Sequence, residues 1–455
     1  MADRIELRHR LSPLAGNIER DGDRLTILRP SIEPLSFPAG SSRFADALMQ
    51  LDGAGATHAE LVAIAAQDGD ANARDGIDVY LERFCFGQLL EWSITLDGEP
   101  LATVASLTSK FGPDETNTPP DPVELSRFAW IRRDDEGLIL ESSIAPGRIT
   151  LSARGAALIG ALAAPGSDDP DARGLAIALW RFGFFEDTAA EESPARRTWQ
   201  FHDKLMHESS RHNRDTMAAG EAYKFKDEFP SPPAIKPDMD GAVVPLPAVD
   251  EAAVRHSSDS LLEVMSRRQS GYDYGDNTLT LADLSTFLYR VARTTDVIQG
   301  PGQELLSRPY PSGGSIHELE FYIAIRQCEG LQPGIYHYQG LTHRLHQLPD
   351  SATAAERMIT VSARGMGQAD NLPDTVISLA SRTPRLSWKY NAIAYRLTLL
   401  NAGVVHQTMY LVATDMGLQG CANAVGDSRI LADVTGLDPF EETSIAEFAL
   451  SAGAN

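Results

Sequence analysis

Basic side chains are scarce in this chain. Lysine and arginine total 40 against 63 aspartates and glutamates, a formal charge of −23. Nucleic-acid backbones demand basic surface, so this balance excludes a general nucleic-acid binder. It equally excludes a protein held to anionic lipid by charge. Cysteine is nearly absent: Cys85, Cys328 and Cys421 are far apart, odd in number and form no CxxC pair. No disulfide framework or zinc site is expected, which fits a reducing cytoplasm. No run approaches the ~20 apolar residues of a membrane span. Met1-Ala-Asp-Arg-Ile-Glu6 lacks the apolar core of a secretory signal. No GxGxxG fingerprint opens a βαβ unit, so a dinucleotide fold is not expected. What is present is apolar content ordinary for a globular protein, and 455 residues, enough for two to three domains.

Composition separates the regions. Residues 1–115 read as strands 5–11 and 25–28 about the turn Asp21-Gly22-Asp23. Helices follow at 43–51, at 58–66 with Thr57 as cap, and at 77–90. A hairpin, 91–96 and 101–107, turns at Asp97-Gly98. Residues 120–190 repeat the plan, with strands 128–132 and 137–143 about Asp134-Asp135-Glu136-Gly137, then helices 153–162 and 172–182. Both are small winged-helix-like modules in outline. The helix 77–90 carries Asp78, Glu82 and only Arg83, which speaks against DNA reading. An exposed sheet edge could instead add a peptide strand. Residues 191–255 form a connector rich in Glu, Pro and Ala. Its one helix, 199–211, is expected to pack on the next domain through Phe201, Leu205 and Ser209. His202 and His207 are not spaced as an i,i+4 metal pair, and no metal site is expected.

Residues 256–455 mix helices (261–268, 281–292 begun by Thr280, 392–416) with strands (319–325, 334–338, 375–380, 444–450). This order indicates an α+β layer. The centre of 392–416, Ala402-Gly-Val-Val405, is small and apolar. A helix buried all round, or one at a dimer seam, has this composition.

Four clusters here bear chemistry. Arg308-Pro-Tyr-Pro311-Ser312-Gly313-Gly314 precedes strand 319–325. Proline fixes φ and glycine opens backbone shapes closed to other residues, so the loop should be rigid, with bare amides able to face a planar ligand. Arg267-Arg268-Gln269-Ser270 ends a helix and can offer two guanidinium forks to a phosphate. Gly417-Leu-Gln-Gly420-Cys421 is a further amide-rich turn. Trp388-Lys389-Tyr390 sets an amine beside a phenol. A lysine in an apolar pocket loses proton affinity and can act as a base. Tyrosine can relay a proton or stabilise an oxyanion. Each cluster also has a plain structural reading: a tight turn, arginines placed for the helix dipole, a helix cap, a snorkelling lysine beside a packed ring.

In order along the chain, Arg308-Pro-Tyr-Pro-Ser-Gly-Gly314, Gly330-Leu-Gln-Pro-Gly-Ile-Tyr-His-Tyr338, Trp388-Lys-Tyr390, Asn401-Ala-Gly-Val-Val-His-Gln407 and Gly417-Leu-Gln-Gly-Cys421 resemble the SagB-type dehydrogenases of the nitroreductase superfamily. Those are FMN-dependent azoline oxidases of thiazole- and oxazole-containing peptide biosynthesis. The segment 199–211 is similar to the helix upstream of their flavin domain, so the resemblance spans about 199–453. The two N-terminal modules are similar to the peptide-clamp, or RiPP-recognition, modules fused to cyanobactin-type oxidases.

The resemblance implies a nitroreductase-like FMN-binding domain and a homodimer with FMN at the subunit interface. Arg267, Arg268, Gln269 and Ser270 would hold the phosphate end. Pro311, Ser312, Gly313 and Gly314 would line the isoalloxazine, with Gly420 and Cys421 also at the cofactor. Lys389 and Tyr390 match the family's catalytic pair. The chain departs from the pattern at Gln269, where a serine is common, and at Gly271 or Tyr272, where a second arginine often stands. It also stops soon after its final strand, without the basic tail of some nitroreductases, and Arg429 is the candidate replacement. The implied reaction aromatises a thiazoline or oxazoline ring of a precursor peptide, with a cyclodehydratase as a partner. A base removes the ring Cα proton while a hydride leaves the neighbouring carbon for the flavin. Two rivals stand beside it. An NAD(P)H-dependent nitro or quinone reductase needs neither the Lys-Tyr pair nor the N-terminal modules. A non-catalytic, peptide-binding scaffold of a cyclodehydratase complex would hold no reducible flavin.

Overall fold

The computed structural model describes residues 4–453 except 23, 31–32, 110, 115–117, 121, 136, 163–168, 188, 212–219 and 276. The expected turn positions Asp23 and Glu136 therefore lie outside the described residues. The chain divides into two compact units, 1–218 and 219–455.

In the first unit Ile5–Leu11 and Leu90–Leu96 pair antiparallel, Ile5 opposite Leu96 and Leu11 opposite Leu90. The sheet continues through Glu99–Ser106, Gly147–Leu151 and Gly137–Ser142 to Ala129–Asp134. Gly147–Leu151 was not foreseen, and it is the bridge: it pairs with Glu99–Ser106 on one side and Gly137–Ser142 on the other. The expected pair of separate winged-helix-like modules, 1–115 and 120–190, thus gives way to one sheet over one core. Trp92 meets Phe111 and Phe182 edge-on at the centre of that core. The physical reason is that small modules bury little apolar area, and joining them removes two open strand edges.

The local signals in this unit were sound. His58–Ala65 begins at Thr57, whose hydroxyl and the Glu60 carboxylate form a reciprocal capping box. Ala73–Phe86 begins and ends four residues earlier than expected, because Leu90 already opens a strand. Arg24–Ile27 takes the unforeseen strand Ile18–Asp21 as its partner, not Ile5–Leu11. The helix Phe201–Ser209 belongs to this unit, with Phe201 edge-on to Trp130 and the Trp199 carbonyl held by Arg127.

The second unit is built on seven strands in the order Val243–Pro245, Arg344–Gln347, Gly334–Gln339, Leu319–Ile325, Thr375–Ser381, Thr443–Ser451, Gln419–Asn423. Leu319–Ile325 and Thr375–Ser381 are buried throughout, which explains why they are mostly apolar, with Glu320, Thr375, Ser378 and Ser381 as the buried polar exceptions. Helix Leu281–Ala292, capped by Thr280 and Asp283, lays Leu284, Phe287, Leu288 and Val291 into the core on one face, beside Val405 and Met409 of the long helix Ala394–Asp415. Helices Ala352–Gly365 and Ser428–Thr435 contribute Met358, Ile359, Ile430 and Leu431 to a second cluster.

The connector expected at 191–255 is not a free tether in its later part. Ala234 and Lys236 are buried in the second unit, the Lys236 amine 2.7 Å from Tyr322 Oη and ion-paired with Glu442. Val243–Pro245 adds an edge strand against Arg344–His346. The long helix is not buried all round: Ala402, Val405 and Met409 are covered, while Leu399, Leu400 and Val404 are exposed. Among the described residues no helix is long and apolar enough to cross a membrane, and no metal-binding group of side chains occurs.

Glu447 lies buried on the last long strand, with Asn423 Nδ2 at 3.4 Å. Burial pushes its carboxyl from the ordinary 4.5 up to about 7, against the hydrogen bonds of Ser362 and Asn423. The folded state therefore holds this proton more tightly than the unfolded state. Stability is lost as pH rises through that window and is fully present below it. Glu447→Gln is expected to gain about 3 kcal/mol relative to the parent between pH 4 and pH 8. Urea midpoints at the two pH values measure it, and parallel behaviour of the two proteins would refute it.

Candidate active site

The loop before Leu319–Ile325 is fixed at its root and open at its tip. Arg308 donates to Tyr310 Oη at 3.1 Å and to the Leu319 carbonyl at 2.8 Å. At the tip Gly314 has φ 62° and ψ 22°, a region that side chains with a Cβ avoid. A Cβ there would lie 2.3 Å from Tyr390 Oη and 3.1 Å from Lys389 Nζ. The structure thus brings the glycine turn and the Lys-Tyr pair into contact, and glycine is what permits the approach.

The amides of this loop are not all bare, contrary to expectation. Gly313 N donates to Asn401 Oδ1 at 3.0 Å, and Asn401 Nδ2 donates to Ser312 Oγ at 3.1 Å and to Glu318 at 3.0 Å. His317 N donates to Ser312 Oγ at 3.1 Å. Glu318 is fully buried, and burial raises its carboxyl pKa against the pull of the Asn401 hydrogen bond. Pro311 and Gly314 face solvent, while Ser312 and Gly313 are half-buried.

Lys389 ends the short helix Thr383–Lys389 and is 5% exposed. Its Nζ lies 2.7 Å from Glu221 Oε1, and the other carboxylate oxygen accepts from Tyr223 Oη at 2.9 Å. The amides of Ala222 and Tyr223 both donate to the Lys389 carbonyl, at 2.8 and 3.1 Å. Burial alone would lower the lysine pKa. Burial is the largest single influence, but the Glu221 hydrogen bond, the two tyrosines and the charge of Glu221 together exceed it, and the net direction is up. The Glu221 carboxyl moves down, chiefly through its Lys389 and Tyr223 hydrogen bonds. Lys389 is therefore an ammonium ion at neutral pH. The expectation of a lysine that has lost proton affinity is corrected, because a carboxylate from the supposed connector compensates its burial.

A second cluster lies further along the long helix. Ser270 Oγ is 2.9 Å from Tyr410 Oη, which also accepts from Ala422 N at 2.8 Å. The Gly271 amide donates to the Gly420 carbonyl at 3.0 Å. The Arg268 guanidinium stands 5.3 Å from the Tyr410 ring centre, half-buried and in no ion pair among the described residues. Arg267 is instead engaged by Asp259 and, at 3.7 Å, by Glu263. Arg429 is exposed and held at 2.8 and 3.0 Å by Asp427, the N-cap of its own helix. Gln269 is exposed. Gly420 and Cys421 are buried in strand packing: a Cβ at 420 would lie 2.6 Å from the Phe448 ring, and Cys421 Sγ is 3.2 Å from Tyr272 Oη. Of the arginines expected at an anion, Arg268 is the one in no ion pair among the described residues, with Ser270 two positions on.

Asn401 and Tyr410 are about 14 Å apart along the helix and about half a turn apart around it. Within one chain the two clusters thus sit on opposite flanks of the same helix. One offers a flat glycine turn beside an ammonium and a phenol. The other offers an uncompensated guanidinium and a hydroxyl. Together they suit a ligand with a planar ring and an anionic end, which is the chemistry of a flavin mononucleotide.

Gly314→Ala is expected to destabilise the protein more than Gly436→Ala. Both positions have positive φ, but nothing lies within 4 Å of a Cβ at Gly436. The shared backbone strain is about 1–2 kcal/mol, and the excess at position 314 reports the collision with Tyr390. Thermal melting of the two variants measures this, and equal losses would disprove the contact.

Residues 265–450 match the Nitroreductase family, and residues 123–216 match Cyanobactin oxidase ThcOx. Trifolitoxin-processing protein TfxB of Rhizobium leguminosarum bv. trifolii is 28% identical over 178 residues, 38% of this chain and 48% of that protein. Microcin B17-processing protein McbC of Escherichia coli is 28% identical over 160 residues, 34% of this chain and 55% of that protein. The chain spans about half the length of these curated relatives. A chain of the E. coli microcin synthetase McbBCD complex with truncated pro-MccB17 bound superposes at TM-score 0.34 and 18% identity, over 52% of this chain and 84% of that one. A likeness of that size carries no argument. The two family matches and the ordered motifs agree: residues 265–450 form a nitroreductase-family domain, and the chain is similar to the SagB-type oxidases of that superfamily.

Proposed function

We propose that the chain is an FMN-dependent oxidase that converts thiazoline or oxazoline rings of a ribosomally made peptide to thiazoles or oxazoles. The observation that carries this reading is the contact of the Gly314 turn with Lys389 and Tyr390. A reductase of nitro compounds or quinones needs no such pair. FMN supplies the acceptor for a hydride from the ring, with O2 as the final oxidant. Ser312, Gly313 and Gly314 give it a flat seat, and Arg268 with Ser270 hold its phosphate. Aromatisation also releases a proton from the adjacent ring carbon; Tyr390 Oη relays it, accepting that proton as it gives its own to water, beside the Lys389 ammonium, which stays charged. Balance is complete: two electrons and one proton leave as hydride, and one proton passes through Tyr390 to water.

The opposite placement of the two clusters supports a homodimer, in which a second copy completes each cofactor site. The exposed stripe of Leu399, Leu400 and Val404 supplies the apolar seam. In the first unit a groove of about 1040 Å³ runs beside Ala73–Phe86, lined by Leu81, Phe86 and Phe111 together with Asp78, Glu82 and Asp114. It supports the docking of an extended peptide with apolar and basic side chains, the role expected for a precursor leader. A cyclodehydratase that makes the azoline would act upstream on the same peptide.

Leu400→Arg is expected to yield a monomer that purifies without flavin, read by light scattering and by absorbance of the released cofactor. A flavin-loaded monomer would end the shared-site idea. Lys389→Ala and Tyr390→Phe are each expected to slow azoline oxidation by about 10²–10⁴-fold while flavin stays bound. The measurement is anaerobic single-turnover bleaching of the flavin by an azoline peptide. Parent-like bleaching in both loaded variants would return the pair to a packing role.

A further inference from the structure

From Glu221 to Lys236 the chain runs as a strap along the short helix Thr383–Lys389. Arg382 donates to the carbonyls of Pro233 (2.9 Å) and Ala234 (3.3 Å), and Arg385 to that of Pro232 (2.8 Å). Trp388 Nε1 donates to the Phe229 carbonyl at 2.9 Å, and the Tyr223 ring stands edge-on to Trp388. At the far end the Lys389 carbonyl receives the amides of Ala222 and Tyr223, and Glu221 bridges antiparallel to Tyr390.

All these bonds fasten the strap without using the Glu221 carboxylate. That side chain is 48% exposed and could stay in water, yet it reaches Lys389, whose side chain is 6% exposed. An unpaired ammonium at such a depth costs several kcal/mol. The groups that face Nζ are few: Glu221 and Tyr223 from the strap, and Tyr390 from its own segment. The Gly313–Gly314 turn brings no charge.

We propose that Glu221 is a positioning residue of the Lys389–Tyr390 site, its carboxylate set by Tyr223 and pinning Lys389 Nζ against the Gly314 turn. This rests on the reading of Lys389 and Tyr390 as the catalytic pair. Without the carboxylate, burial is opposed by Tyr223 and Tyr390 alone, so the amine gives up its proton at lower pH and is free to swing from the turn.

The test is a carbon-13 NMR titration of the full chain as purified, labelled at lysine Cε. The chain has six lysines, and the Lys389 signal is the one missing from Lys389→Arg. In Glu221→Gln its midpoint is expected to fall by about one to three pH units. Tyr223→Phe should move it less, in the same direction. Should the glutamine variant fail to fold, Glu221→Asp, which withdraws the charge by one methylene, should give a smaller fall. A midpoint unchanged in the folded Glu221 variant overturns the proposal. Azoline turnover on the same samples separates the two readings. A shifted titration in Glu221→Gln while the parent itself turns over no azoline sinks the reaction and leaves the positioning role. Turnover with an unshifted titration does the reverse.

Discussion

Asn401 holds the site loop to the long helix with both ends of one side-chain amide. Its oxygen receives the Gly313 N–H, and its nitrogen reaches Ser312 and the buried Glu318. Because the amide has a donor end and an acceptor end, the loop can seat in one orientation only. That seating brings Gly314 to Tyr390 and Lys389. Leu397, one turn earlier on the same helix, lines the other side of Gly313. The helix is therefore the ruler from which the positions of the loop, the pair and the Tyr410 cluster are all set.

Beneath the loop lies a layer of buried charge that hydrogen bonding makes tolerable. Arg385 is fully buried and donates to the carbonyls of Pro232, Glu304 and Ile316. Burial and neighbouring arginines bring its pKa down to about 10, so it remains charged. For Glu320 burial works the other way, but His337 and the nearby arginines overcome it and hold the carboxyl at about 2. Such groups add little net stability against an apolar core, yet each is costly to leave unpartnered. Their value here is geometric: three separate segments, 229–236, 304–316 and 382–389, are tied at fixed angles below the place where a planar ligand would lie.

Local chemistry was legible wherever a short-range rule decides structure. Thr57 and Thr280 announced their helices because a hydroxyl caps the next turn whatever the tertiary setting. The apolar runs at Leu319–Ile325 and Thr375–Ser381 announced central strands. Gly313-Gly314 and Lys389-Tyr390 each read alone as a tight turn and a packed lysine, and stood out only through their place in an ordered set of motifs. What could not be read was partnership across long separations. Gly147–Leu151 alternates like many loops, and only its two neighbours make it a bridge. Glu221 sits in a stretch of Glu, Pro and Ala that carries no pattern, so the compensation of the Lys389 charge was invisible. Asn401 stood inside a motif without a visible task, and Arg267 and Arg268 looked equivalent until Asp259 was seen to engage one of them.

The bridging strand of the first unit also has a consequence for synthesis. The strand Glu99–Ser106 emerges from the ribosome about 40 residues before Gly147–Leu151, a delay of a few seconds at usual elongation rates. Through that interval its outer edge has a row of N–H and C=O groups with no partner, the kind of template on which nascent chains cross-pair. Vectorial folding of this unit is thus gated by the arrival of residue 151, and crowding of nascent chains on one message is where assembly of the sheet is most exposed to error.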